Sequence, residues 1–170
     1  MIRSILIFPK LKNIELIQDV RKEIDPLYPH IRPHISLVFP FDSAAPDHDL
    51  IDQLSTTLAS FPSFDATFSR VTGDPRSGYI WLAANKGSAE IQSIHDQLYS
   101  NPLLAPFKRN DLPYIPHITI GQVQSRKQAQ IEISKLQLKD FHCSTRINTV
   151  SIEHILESDD SDEFYQQKLI

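Results

Sequence analysis

The sequence is poor in glycine, with four in 170 residues against twelve prolines. Neither G-x-G-x-x-G nor G-x-x-x-x-G-K-S/T occurs, which excludes nucleotide binding by a dinucleotide fold or a P-loop. Cysteine is scarcer still. Cys143 stands alone, so an internal disulfide and any metal-type cysteine spacing are ruled out, and the composition points to a reducing cytosol. Long apolar runs are missing as well. Ile5 to Phe8 is cut off by Pro9 and Lys10, far short of a signal-peptide core or a membrane span, which predicts a soluble, unprocessed, cytoplasmic protein with no membrane partner. Nor is there an excess of positive charge. Seventeen basic against 21 acidic side chains leave a net −4, which argues against an extended nucleic-acid groove built on phosphate neutralisation.

The acid is unevenly spread. Glu157, Asp159, Asp160, Asp162 and Glu163 cluster near the C-terminus, and the remainder holds 17 basic against 16 acidic residues. A local anion site elsewhere is therefore open, while the acidic stretch, read as a loop between the last strands, would repel a long RNA. With 41% hydrophobic residues the chain can bury a core without staples.

Periodicity predicts strands over Ile2–Phe8, His34–Phe39, Phe64–Val71 (Phe64, Ala66, Phe68 and Arg70 sharing a side), Tyr79–Ala84, Tyr114–Gly121, Arg146–Glu157 and Phe164–Leu169. Helices are predicted over Asn13–Asp25, Asp47–Ala59, Ser88–Tyr99 and Gln128–Leu138. Several strands follow each other without a helix, so the fold class is α+β with antiparallel sheets.

Two segments repeat: Pro33-His34-Ile35-Ser36-Leu37 and Pro116-His117-Ile118-Thr119-Ile120, with the histidines 83 residues apart. On a strand, residues two apart share a face at roughly 6.6 Å. His34 and Ser36, like His117 and Thr119, then point one way while the aliphatics turn to the core. A single such segment is also what a half-solvated surface strand looks like. A solvated face, however, has no reason to repeat proline, histidine and hydroxyl in register half a chain apart, whereas a symmetric site has one.

Imidazole titrates near neutrality, at about 6.5, so one ring can start neutral as a base and the other protonated as an acid. Each role is worth about 10²- to 10⁴-fold in rate. The two hydroxyls suit hydrogen-bond donation to the non-bridging oxygens of a tetrahedral anion. A phosphodiester attacked in line fits these four groups, and no cofactor is called for.

These paired motifs resemble the H-x-[S/T]-x signature of the 2H phosphoesterase superfamily, named in its best-known branch for 2′-5′ RNA ligase activity. The chain length, the strand and helix before the first motif and the prolines before both histidines are similar to the YjcG-like bacterial branch. The resemblance covers residues 1–170. It implies one bilobal α+β domain of two similar lobes related by a pseudo-twofold axis, each with one motif, and an active-site cleft between them. It implies a phosphoric diester hydrolase acting without a metal on 2′,3′-cyclic phosphates, an RNA end or a 2′-5′ RNA linkage. Carried over by position, His117 becomes the base for water and His34 the acid, the roles exchanging in the reverse reaction, with Ser36 and Thr119 holding the phosphate. Ser36 stands where threonine is commoner. The alternative is a phosphate or RNA-end binding module without turnover.

Further candidates are weaker. Arg32, Arg76, Lys108 and Arg109 lie in predicted loops, and Arg32 is the candidate phosphate or ribose contact nearest a motif. Tyr114 and Phe39 are candidates for stacking a base, as are Phe41, Tyr79 and Trp81, although core packing is expected of Phe39 and Trp81. His30 and His34 have the interval of a helical metal pair, but Pro29 and Pro33 forbid a regular helix there. His48, His95, His142 and His154 have no mirrored partners and are expected at surfaces or in polar networks. Ser36 lacks the Gly-x-Ser-x-Gly setting of an acyl nucleophile.

Overall fold

Apolar residues on both sides of β1 (Ile2–Ile7) mark it as an inner strand, and Ile5, Leu6 and Ile7 are all buried in the computed structural model, which describes residues 1–170. The chain continues as α1 (Glu15–Ile24), β2 (Ile35–Asp42), α2 (Asp47–Leu58), β3 (Phe64–Asp74), β4 (Tyr79–Ala84) and α3 (Ser88–Tyr99). After a single 3₁₀ turn at Ala105–Phe107 come β5 (His117–Gln122), α4 (Arg126–Leu136), β6 (Cys143–Ile147), β7 (Thr149–Ile155) and β8 (Ser161–Lys168). Helix periodicity in the sequence located all four α-helices to within two residues at each end.

The strands form two four-stranded sheets, in the orders β2-β1-β7-β8 and β5-β4-β3-β6. Every pairing is antiparallel. The protein is thus α+β with two lobes, and both motif strands, β2 and β5, lie at the edge of their sheets. The helices cross over: α1, which precedes β2, packs on β5, and α3, which precedes β5, packs on β2. One continuous apolar cluster takes in Ile35 and Leu37 of β2 together with Ile118 and Ile120 of β5. Burial of those four side chains fixes the two motif strands in a common body; each contributes on the order of 1.5–3 kcal/mol of transfer free energy. Gly121 permits the close seating of α1 on β5, because a Cβ there would lie 2.5 Å from Ile24 Cδ1. No helix is long and apolar enough to cross a membrane.

Four expectations change. The strand read over Arg146–Glu157 is two strands, β6 in the second sheet and β7 in the first, separated by Asn148. The inward positions are odd-numbered up to Ile147 and even-numbered from Val150, a one-residue slip in phase that a bulge within one strand would also give, so the pattern does not by itself reveal that the chain changes sheets. In β3 a register shift between Phe68 and Arg70 turns Arg70 out and buries Val71. The acidic stretch is a short turn whose last residues, Asp162 and Glu163, already belong to β8. Finally, Trp81 is only half-buried and lies outside the core, against His117.

Candidate functional site

Each motif shows the same five-residue burial pattern. Pro33, Ile35 and Leu37 are buried with His34 and Ser36 half-buried between them, and Pro116, Ile118 and Ile120 frame His117 and Thr119 in the same way. β2 and β5 are edge strands that contact each other, so both motifs lie at the junction of the lobes. Neither the Ser36 hydroxyl nor that of Thr119 has a hydrogen-bond partner within the protein, and neither is sealed from solvent. Both are available to a ligand.

The two imidazoles are set identically. His34 Nδ1 lies 3.0 Å from the carbonyl oxygen of Arg32, and His117 Nδ1 lies 2.5 Å from that of Ile115. A carbonyl oxygen only accepts, so in each ring Nδ1–H donates to the carbonyl two residues back and Nε2 is left as the free nitrogen. Loss of hydration at the lobe junction lowers the pKa of His34 to about 4 against the raising effect of its bond to Arg32; the Arg21 guanidinium and His117 add to the lowering and Asp25 opposes it. Desolvation also lowers the pKa of His117, partly offset by the Ile115 carbonyl. The expectation of one neutral and one protonated ring at neutral pH is therefore corrected for the unliganded protein: both are neutral, because burial outweighs the hydrogen bond in each case.

An exposed strand edge has unpaired backbone groups, and on β2 these are taken up by side chains from the second half of the chain. Tyr114 Oη donates to the Ser36 carbonyl at 2.9 Å, His95 Nδ1 to the Leu37 carbonyl at 2.7 Å, and the Phe39 N–H donates to Tyr99 Oη at 3.3 Å. The His95 ring stacks on Tyr114 with centroids 3.6 Å apart, and Phe39 meets Tyr114 edge-on at 6.5 Å. Burial raises the Tyr114 pKa, so its hydroxyl stays protonated and donating. Tyr114 and Phe39, read from sequence as possible stacking groups, here brace β2.

The segment leading into His34 is held from α1. Arg21, fully buried, pairs through Nε with Asp25 at 2.7 Å and donates through Nη2 to the Ile31 carbonyl at 2.7 Å. Asp25 in turn accepts from the Leu27 N–H at 3.0 Å. Sequence reasoning missed this pair. Its signal was a charged residue at position 21 on the stripe of Ile14, Ile17 and Ile24, where a solvated arginine does not belong. Arg32 lies with its guanidinium carbon 3.7 Å from the Phe8 ring centroid and pairs with Glu163 at 2.6 Å. Phe8 meets His34 edge-on at 6.3 Å, so Arg32 sits beside the first histidine. Arg109 pairs with Asp111 at 2.6 Å, and His30 pairs with Asp160 at 2.9 Å.

Beneath the hydroxyls the lobes differ. Ser36 is opposite Leu6 in the ladder, and Thr119 is opposite Trp81. The Trp81 ring stacks on His117 with centroids 4.6 Å apart, and its Nε1–H is buried without a partner.

Two lobes joined at edge strands that each present a histidine and a hydroxyl define a class of two-motif α+β proteins. The profile of the 2′-5′ RNA ligase superfamily matches residues 8–159, and the chain belongs to that family, the 2H phosphoesterases. A protein of Bacillus thuringiensis (strain Al Hakam) bearing the name "Putative phosphoesterase" is 24% identical over 157 residues, which is 91% of this chain and 89% of the relative. Solved structures show the same fold: LigT of E. coli in its apo form has a TM-score of 0.65 at 14% identity, covering 98% of this chain and 96% of LigT. LigT has also been crystallised with 3′-AMP, at a TM-score of 0.60 and 14% identity, covering 98% of this chain and 97% of LigT. A protein of Thermus thermophilus has a TM-score of 0.63 at 12% identity, covering 99% of this chain and 98% of that one.

Proposed function

We propose that this phosphoesterase hydrolyses a cyclic phosphodiester, a 2′,3′-cyclic nucleotide or an RNA end that carries one, by paired-histidine acid–base catalysis without a metal. The observation that supports it is the identical setting of the two rings, each with Nδ1 tied to a carbonyl and Nε2 free. His117 Nε2 takes a proton from water as its oxygen attacks phosphorus. The bond from phosphorus to one ribose oxygen breaks, and His34, protonated at Nε2, gives its proton to that leaving oxygen. Ser36 Oγ and Thr119 Oγ1 donate to the non-bridging oxygens, where charge builds up. The anionic substrate supplies what the unliganded site lacks, since a negative charge beside His34 raises its pKa and favours the protonated form.

The short proline-led entry to both motifs supports placement in the YjcG-like branch. Turnover of 2′,3′-cyclic AMP in EDTA tests the proposal. His34→Ala and His117→Ala are each expected to lower kcat by about 10²- to 10⁴-fold, with the double variant little worse than either single one because the pair acts as a unit. Rates unchanged in both single variants would remove the mechanism, and binding of 3′-AMP without turnover of any cyclic phosphodiester would leave a binding module.

A further inference from the structure

The two motif histidines meet different sides of an aromatic ring. The Trp81 indole lies face to face with His117, with centroids 4.6 Å apart and planes at 29°. Phe8 meets His34 edge-on at 6.3 Å, and the face of Phe8 is already taken by the Arg32 guanidinium at 3.7 Å. The face of an aromatic ring carries the negative part of its quadrupole and attracts a cation held within about 6 Å, whereas the edge is positive. A protonated imidazole is therefore backed by an aromatic face at His117, and only an edge is offered to His34.

The register explains the stack. His117 is the first residue of β5, an edge strand, and stands opposite Ala83 of β4. A methyl group gives the ring no wall. The next residue on that face of β4 is Trp81, opposite Thr119, and diagonal neighbours are within reach of an aromatic side chain. β4 lies inside its sheet, so the indole is carried by backbone paired on both sides. It gives up a hydrogen bond to lie there: Nε1–H is buried without a partner, although a buried indole nitrogen usually finds one. The charged groups of the neighbouring elements are Arg70 of β3, opposite Ala83 on the same face, Arg21 and Asp25 of α1, paired with each other, and His34 of the other motif. Desolvation and the Ile115 carbonyl are the influences on the unliganded His117 ring, and no carboxylate is set against it to hold its cation.

We propose that Trp81 is the positioning residue of the second motif: its face holds the His117 ring and stabilises the imidazolium formed when Nε2 takes the proton of the attacking water. The proton passes from water to His117 as the water oxygen bonds to phosphorus, and His34 protonates the ribose oxygen whose bond to phosphorus breaks. The inference rests on the phosphoesterase reading and gives its division of labour a physical cause. The ring backed by an aromatic face is the base, and the ring without one is the stronger acid once protonated.

Trp81 is the single tryptophan, so fluorinated tryptophans supplied during expression replace it alone, and they weaken the negative face while keeping the shape of the ring. Across analogues with one, two and three fluorines, kcat for 2′,3′-cyclic AMP should fall in steps to about two- to fivefold below wild type, with KM unchanged, which is what losing a partly exposed cation–π contact costs. The titration midpoint of His117, followed by NMR, should fall in the same order by about 0.5 pH unit. Trp81→Phe, which keeps a face, should hold kcat within about threefold, and Trp81→Leu, which has none, should lower it about tenfold. A kcat indifferent to fluorination, or a His117 midpoint that stays or rises, would overturn the stabilising role, and wild-type kcat in Trp81→Leu would overturn the positioning one. Absence of cyclic-nucleotide turnover in wild type would instead overturn the phosphoesterase reading. The titration series needs no substrate, so the two failures are read from separate measurements.

Discussion

β2 and β5 present the same pentapeptide pattern of burial and the same ring-to-carbonyl bond, yet they are held by different physics. The free edge of β2 is occupied by hydrogen bonds donated by Tyr114 and His95 and one accepted by Tyr99, and its approach is tied down by a buried ion pair on α1. β5 is held by apolar contact, with Ile24 of α1 pressed onto Gly121 and Trp81 stacked on His117. Symmetry is thus kept at the histidine and hydroxyl of each motif and dropped in the layer behind them. The electrostatics follow from that layer. Arg21 stands near His34, with Asp25 opposing it, and no such pair acts on His117.

The strongest break in the comparison is Arg21→Met. Removing the guanidinium leaves Asp25 buried without its partner and frees the Ile31 carbonyl, and loss of one member of a buried pair costs about 3–5 kcal/mol. Thermal unfolding should show a large fall in Tm, with no equivalent substitution near β5 able to produce it by loss of charge pairing. At the site itself the two hydroxyls should behave alike. Ser36→Ala and Thr119→Val are each expected to lower kcat/KM for 2′,3′-cyclic AMP by about 10- to 100-fold, the worth of a hydrogen bond to a charged group at about 1.5–3 kcal/mol. A large effect from one and none from the other would show that the phosphate is held by a single lobe.

pH sharpens the comparison further. An anion between the rings raises the His34 pKa from about 4, so binding takes up a proton and tightens as pH falls from neutrality toward the unliganded value. Sulfate keeps a constant charge across this range, and calorimetry from pH 7 to 5 should show its affinity rising by up to about tenfold per pH unit. The rise should vanish in His34→Ala if His117 is not the ring that gains the proton. The smallest effect is expected of Tyr114→Phe, which removes one hydrogen bond from the β2 edge. It should destabilise by about 0.5–1.5 kcal/mol, visible in chemical denaturation.

What the sequence reveals follows from where a signal is periodic. The helices are legible because Ile17 and Val20, or Leu50 and Leu54, recur on one buried face. The motifs are legible because a repeat 83 residues apart has no bland explanation. The sheet change at Asn148 leaves only a one-residue slip in the apolar phase between Ile147 and Val150, which a bulge within a single strand would leave as well. The bracing of β2 is hidden for another reason. His95 and Tyr114 are 19 residues apart in the chain, and only the crossing of α3 onto the opposite lobe stacks their rings. Arg21 is legible in principle, as a charge on an apolar stripe, but its partners Leu27 and Ile31 offer backbone carbonyls that no residue type announces.

The central claim is that two imidazole Nε2 atoms from different lobes converge on one phosphate. A crystal structure of the protein with vanadate bound would test it most directly. The account predicts the anion between the rings, with His34 Nε2 and His117 Nε2 each at about 2.7–3.2 Å from a different oxygen and the Ser36 and Thr119 hydroxyls on the remaining ones. Vanadate in contact with one histidine only, or seated away from both, would contradict it.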